Sequence, residues 1–454
     1  MAYHFIECNR EQSYLLPPSL KEWLPEGDLA WFILDAVGQM ELKGFYGKYR
    51  EDGWGQAAYE PSMMVALLLY AYCLGERSSR RIEQLCEKDV AFRVITANQK
   101  PDHSTINRFR GEHEEALKGL FTSVLRLCAQ AGLVKVGVVA LDGTKMKANA
   151  ALEANRSYEH IEEEVKKMLA EAAAKDKEED EKYGKDKRGD ELPEGLRKRE
   201  DRLSRLKECQ ERLQREAQEK MAEQEKKIEA RKQAETEGEK PRGRKPKEPD
   251  VKALEEAKAN VTDPESRIVK TRKGYEQGYN AQAVVSREQI IVAAEVTQEQ
   301  NDVKQLHPMM EETQKSLRSA GIEEKVGVAL ADAGYCSEEN LKGETEEGPE
   351  LLVATKKDWK QRKQMREENP PGEPPPEGVS EREKMDWKLR TERGKSLYRL
   401  RGQTVEPVFG QVKTVRRCDR FMRRGLESAR SEWKLLCATH NLLKLWRSGK
   451  AFWN

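Results

Sequence analysis

Residues 152–259 are built almost entirely from Glu, Lys, Arg, Ala and Gln, and this block limits every fold the chain can adopt. Its apolar positions are too sparse to bury a globular core, but they recur at helical spacing. Ile161, Val165, Met168 and Leu169 mark one helix; Leu196, Leu203, Leu206, Leu213 and Ala217 mark another with heptad-like spacing. A Gly- and Pro-containing stretch, residues 183–194, separates the two. The block therefore predicts a charged, coiled-coil-like helical hairpin. Short β-branched runs stand on both sides of it, so it reads as an insertion into one fold and not as a boundary between two. It also explains why 36% of the residues are charged, against about a quarter in ordinary domains, while the formal net charge is only +1.

Residues 1–133 read as a helical N-terminal domain. Leu29, Phe32, Ile33, Val37 and Met40 share one face of a helix over 28–40, and Pro61 opens a second over 63–74 at a first-turn position. Helices over 80–90 and 103–130 follow, the last with its cap in the string Asp102-His103-Ser104-Thr105. The period then changes. KVGVVAL (135–141) predicts a buried strand ending at Asp142. Residues 279–285 and 290–296 predict a strand pair, and 326–331 a strand ending at Asp332. Residues 351–354 predict a further strand. Residues 302–317 and 426–446 predict amphipathic helices, and NPPGEPPPEG (369–378) predicts an extended surface loop. The class is α+β.

Eight scattered cysteines with no CxxC pair exclude a disulfide framework and a structural zinc site. The first residues lack the apolar core of a signal peptide, and the longest apolar run, near 63–74, suits a buried helix better than a bilayer span. The expectation is a soluble protein of a reducing cytoplasm.

Two acids follow hydrophobic strands, and small residues follow both: LDGT around Asp142 and ADAGY around Asp332. Two carboxylates brought together repel, so they need a cation between them. Magnesium suits such a pair, because it keeps octahedral positions open for water and phosphate oxygens. A third acid, Glu406, lies in TVEPVFGQVK, where Thr404 as cap and Pro407 in a first turn predict a helix start. Lys413 follows two turns later.

These strings together resemble the DDE transposases of bacterial insertion sequences, in the branch with a Tyr-Arg-Glu-Lys signature around the last acid. LDGTKMKANA, ADAGY and TVEPVFGQVK carry the three acids, while GYNAQAVV (278–285) and PDHSTINRFR (101–110) add to the likeness, the latter within the helical N-terminal domain. The resemblance implies an RNase H-like catalytic domain over 134–151 and 260–454, interrupted by the helical insertion 152–259. It implies that Asp142, Asp332 and Glu406 bind two divalent ions per site, Mg2+ or Mn2+, for cleavage of transposon ends and joining to target DNA. Tyr398, Arg401 and Lys413 would position phosphates. The family's arginine lies four residues before the glutamate; here that place holds Gly402, with Arg401 one step earlier.

Double-stranded DNA is the implied partner, as terminal repeats and as target, with a homodimer pairing two ends at the nucleoid. Residues 413–430 carry seven basic side chains, Arg416, Arg417 and Arg420 among them, against Asp419 and Glu427, which predicts a DNA track. PRGRKPK, with Arg242 and Arg244, resembles a minor-groove AT-hook, with a flexible linker as the alternative. His440 and Trp433 fall on an apolar helix face and predict core packing. His103, near a helix start, predicts a cap or turn residue. The rival reading of the whole chain is a catalytically inactive, transposase-derived DNA-binding protein.

Overall fold

A valine-rich segment flanked by alternating small and polar residues makes the central strand β1 (Val138–Lys147) of a mixed sheet. In this computed structural model the described residues are 19–49, 58–183, 194–236, 254, 257–271, 274–342, 348–367, 372, 375 and 378–451. The segments 183–194 and 369–378 therefore fall largely outside them, and Arg242 and Arg244 wholly so.

The N-terminal helices are α1 (Leu29–Gly38), α2 (Lys43–Tyr46), α3 (Pro61–Cys73), α4 (Ser79–Lys88), α5 (Val90–Ile95), α6 (His103–Glu112) and α7 (Glu114–Gln130). Pro61 stands in the first turn of α3 as expected, and Asp102 Oδ1 accepts the Thr105 amide at 2.6 Å to cap α6. The single helix expected over 103–130 is broken at His113. That imidazole is buried between Phe109 O at 3.0 Å and Phe45 O at 3.1 Å.

The insertion begins and ends on a small clamp in which β2 (Asn155–Ser157) pairs antiparallel with β3 (Lys258–Asn260). Between them run α8 (Tyr158–Tyr183) and α9 (Glu194–Thr236). Ile161 and Val165 pack on Leu206, Cys209 and Leu213 in a core of their own. Leu169, expected on that face, is exposed instead: the apolar contact ends one residue earlier, at Met168.

The remaining strands are β4 (Arg267–Thr271), β5 (Gly274–Ser286), β6 (Ile291–Thr297), β7 (Val328–Ala331) and β8 (Glu350–Val353). The sheet order is β4-β5-β1-β7-β8, with β6 also on β5. β1 runs antiparallel to β5 and parallel to β7, and β7 runs parallel to β8. This is the mixed α+β sheet that the sequence predicts. β1, however, does not end at Asp142. It continues to Lys147 because β5 stays paired with it from Ser286 down to Gly278.

The C-terminal half adds α10 (Leu306–Ser319), α11 (Glu338–Lys342), α12 (Trp359–Glu367), α13 (Glu381–Arg390), α14 (Glu392–Gly410) and α15 (Leu426–Ser448). α15 is buried along its length against α7, α3 and β6. One continuous hydrophobic core therefore joins the N-terminal helices to the sheet. Trp433 donates to Gln282 O at 2.9 Å, and Asn441 brackets Ile291 through both its amide and its carbonyl. His440 bonds Gln289 O at 3.0 Å, and burial pushes its imidazole down to about 3, so it is a neutral packing residue as expected. Among the described residues no helix is long and apolar enough to cross a membrane.

Candidate active site

Parallel pairing sets the first two acids side by side. Ala140 of β1 is in register with Leu330 of β7, and two residues further on the chains carry Asp142 and Asp332. Each carboxylate takes a backbone amide of its own loop: Asp142 Oδ1 from Gly143 at 2.8 Å, Asp332 Oδ1 from Gly334 at 2.7 Å.

α14 delivers the rest, though not in the way its local signals suggest. Thr391, not Thr404, caps it, and Pro407 lies inside the helix near its end. A proline there removes the amide that would bond the carbonyl four residues back. That carbonyl, Gln403 O, instead receives the Gln289 side-chain amide at 3.1 Å. Thr404 Oγ1 donates to Leu400 O as an ordinary mid-helix threonine. Past Gly410 the chain widens into a π turn over Gln411–Val415.

The helix thus aims Arg401 into the sheet and leaves Glu406 at its edge. Arg401 Nη2 lies 2.8 Å from Asp142 Oδ2 and 4.0 Å from Asp332 Oδ2, and its Nη1 lies 3.5 Å from Glu406 Oε1. Three acids from distant stretches therefore surround one guanidinium. Their exposure rises from 17% for the Asp142 side chain through 36% for Asp332 to 66% for Glu406. Gly402 lies beside Glu406, where a Cβ would make only ordinary contact, 3.6 Å, with Oε1. Tyr398 turns inward, its hydroxyl donating to Ala331 O at 3.2 Å, just before Asp332.

Burial pushes the Asp142 carboxyl up to about 7; Arg401 opposes the shift, while Asp332 and Asp302 add to it. For Arg401 the order is reversed: burial works against its charge, but Asp142, Tyr398, Asp332 and Glu406 together hold it on. The donor set fits a hard divalent cation, being oxygen-only and already converging on a positive group. As placed around Arg401, the described residues include no three carboxylates close enough to share one ion. Glu406 is the most exposed of the three.

A fourth carboxylate escapes the sequence reading. Asp302 Oδ1 accepts from Asn280 Nδ2 at 2.7 Å and Gln282 Nε2 at 2.8 Å, and lies 3.7 Å from Lys145 Nζ. A Cβ on Gly143 would stand 2.6 Å from Asp302 Oδ1, and one on Gly334 3.5 Å from Asp302 Oδ2. The small residues beside both aspartates thus make room for this acid. The signal that could have found it is Asn280 and Gln282, polar residues alternating within a strand buried on both faces.

The basic run 413–430 divides. Lys413 Nζ donates to Thr144 Oγ1 at 3.0 Å and Lys145 O at 2.7 Å, tying the π turn to β1. Arg416 is no DNA contact: it is 7% exposed, with its donors on Thr439 Oγ1, Leu436 O and Tyr72 O. The long-range packing of α15 and α3 buries what local charge patterning places at the surface. Arg423 pairs with Glu114, and Arg430 with Glu295 and Glu427. Arg417, Arg420 and Arg424 remain exposed. Their loop is pinned from inside by Glu432, which accepts the Met422 amide at 2.9 Å and the Arg423 amide at 3.3 Å, and by Arg77, which donates to Arg417 O and Arg420 O. His103 bonds Glu83 at 2.8 Å, far from the acids in sequence and on another helix pair.

Residues 244–442 match the family model described as a transposase DDE domain, and residues 18–112 match one described as a transposase domain (DUF772). The first match takes in Asp332 and Glu406; Asp142 lies ahead of it, across the insertion. No curated protein and no solved structure matches the chain.

Proposed function

This chain belongs to the DDE transposases of bacterial insertion sequences, and on that premise we propose that Asp142, Asp332 and Glu406 perform its DNA cleavage and strand transfer. Transposition is the function; the acids and their mechanism are our reading. The observation that carries it is the convergence of the three carboxylates on Arg401 from β1, the end of β7 and α14. Two divalent ions, Mg2+ or Mn2+, held by these carboxylates would supply activation of the attacking oxygen and stabilisation of the leaving oxygen.

The chain's own residues set the geometry. Arg401 lies between Asp142 and Asp332 as a shared counter-charge, and its other nitrogen stands 3.5 Å from Glu406. Tyr398 fixes the strand end from which Asp332 projects. Lys413 spends two of its three donors on β1 and has one left for a phosphate oxygen. Arg417, Arg420 and Arg424, exposed on the loop bonded to the end of β1, extend that positive surface along a DNA backbone. The substrate is double-stranded DNA carrying the element's terminal repeats, and a homodimer pairs the two ends.

The test is strand cleavage of a DNA bearing the flanking ends, with Mg2+ or Mn2+. Asp142→Ala, Asp332→Ala and Glu406→Ala should each abolish cleavage while end binding persists. A variant that still cuts removes its residue from the site, and a wild-type chain that binds without cutting favours the inactive DNA-binding reading.

A further inference from the structure

We propose that Lys145 is a phosphate-holding cation of this site and that Asp302 is the positioning residue that aims it. The inference rests on the cleavage reading above and adds to it two residues outside the three acids and the Tyr-Arg-Glu-Lys set.

Lys145 lies three residues past Asp142 on β1 and pairs across the strands with Asn280. Its ammonium makes one hydrogen bond, to Gln300 O at 2.7 Å, and stands 3.7 Å from Asp302 Oδ1. An ammonium has three donors, so capacity remains for an incoming oxygen. The carboxylates whose charge reaches it are Asp302, Asp142 and Asp332. Lys413 instead feels Asp419, Glu276 and Lys147. Lys145 joins the acids through Asp302: its ammonium is 3.7 Å from Asp302 Oδ1, and that carboxylate lies against Gly143 and Gly334, the glycines beside Asp142 and Asp332.

Asp302 is held as a fixed anchor and not as a loose surface acid. Two amides from β5 grip the same oxygen, and both amide side chains are buried, Asn280 at 1% and Gln282 at 0% exposure. Gln282 is held in turn, its Oε1 accepting the buried Tyr335 hydroxyl. One atom of this network is left over. Asn280 Oδ1 is buried with no donor and stands 3.0 Å from where a Cβ on Gly143 would be. A buried acceptor without a donor costs about 1–3 kcal/mol. The space beside Gly143 is closed, since a Cβ there would also stand 2.4 Å from Gln282 Nε2 and 2.6 Å from Asp302 Oδ1, so the network is a packed anchor for Asp302 with Lys145 at its rim.

The experiment uses the full chain and two readouts. The first is binding of a fluorescently labelled duplex as a function of salt, with Ca2+ in place of Mg2+. The second is nicking of supercoiled plasmid across a Mn2+ titration. Lys145→Met keeps the aliphatic stem and removes the charge. It should lower the salt slope by about one unit and slow nicking about ten- to hundredfold, with the Mn2+ concentration for half-maximal rate unchanged. Lys145→Arg should recover part of both, which separates lost charge from lost folding. Asp302→Asn should weaken binding and nicking in the wild-type background but add little to Lys145→Met, because it acts through that lysine. An unchanged salt slope for Lys145→Met overturns the proposal. So does an Asp302→Asn variant that raises the Mn2+ requirement equally with and without Lys145, since Asp302 would then be an ion ligand. The slope does not depend on catalysis, so it reads Lys145 even if Asp142→Ala still nicks and the wider reading falls.

Discussion

Asp142→Asn should make the protein more stable at neutral and alkaline pH while it destroys cleavage. In the unfolded chain this carboxyl ionises at its ordinary 3.8, and in the folded chain at about 7. Between those values the folded protein keeps a proton that the unfolded chain has released. Stability therefore falls as pH rises through the window, and the whole penalty is present above about 7. At about 1.4 kcal/mol per pH unit the full window costs roughly 4 kcal/mol, of which roughly 3 kcal/mol accrues above pH 5. The Arg401 ion pair is already included, because the penalty is what burial, Asp332 and Asp302 leave after Arg401 has opposed them.

Asparagine is nearly isosteric and never charges, so the variant escapes the penalty. Thermal melts of both proteins in divalent-free buffer from pH 5 to pH 8 provide the measurement. For a chain of this size 1 kcal/mol shifts the midpoint by roughly 2 °C, which gives a gain of about 8 °C at pH 8 shrinking to about 2 °C at pH 5. Adding Mn2+ should close the gap by stabilising the wild type more than the variant. A variant that melts below wild type at pH 8, or a difference that does not change with pH, would refute the argument that Asp142 is held against its own charge.

Three further substitutions test the surrounding geometry. Gly143→Ala should abolish nicking without unfolding the chain, because its Cβ would stand 2.4 Å from Gln282 Nε2 and 2.6 Å from Asp302 Oδ1; near-normal nicking would mean that the Asp302 anchor gives way freely. Glu432→Ala strands the buried Arg77 and frees the Met422 and Arg423 amides, so it should lower stability by about 3–5 kcal/mol in denaturant titrations and weaken duplex binding through the loosened loop. Gln289→Ala leaves Gln403 O without its donor and should cost about 1 kcal/mol, with faster hydrogen exchange confined to the end of α14 and the π turn. Uniform exchange along α14 would argue against a local role.

The strand before Asp332, the charged hairpin and the three candidate acids could be read because each writes a local pattern. A valine-rich run stops before Asp332, small residues follow Asp142 and Asp332, and leucines recur at heptad-like spacing from Leu196 to Leu213. What stayed hidden depends on partners far along the chain. Gly143, Lys145 and Lys147 carry little strand propensity, yet β1 runs through them because β5 pairs with every one. Pro407 reads locally as a helix start; a glutamine from a distant turn lets it stand inside a helix. Arg416 looks like surface charge until α15 closes over it. Asp302 reads as the beginning of an amphipathic helix, and only the β5 pleat turns Asn280 and Gln282 toward it.

The displaced arginine shows how such a site tolerates a departure from its signature. Successive helix residues are turned by about 100°, so a side chain four places before Glu406 lies over it, while one five places before is swung to the side. With glycine at 402 nothing covers Glu406, and Arg401 points to the strands instead. Its planar fork makes the shift workable, because Nη2 serves the two aspartates while Nη1 reaches the glutamate. A lysine could offer only one point of charge there. The cation is thereby shared among all three acids and is not paired with the glutamate alone. Of the three acids the two aspartates lie on Nη2 and the exposed Glu406 on Nη1, so the aspartates keep their cation through an arm that Glu406 does not use.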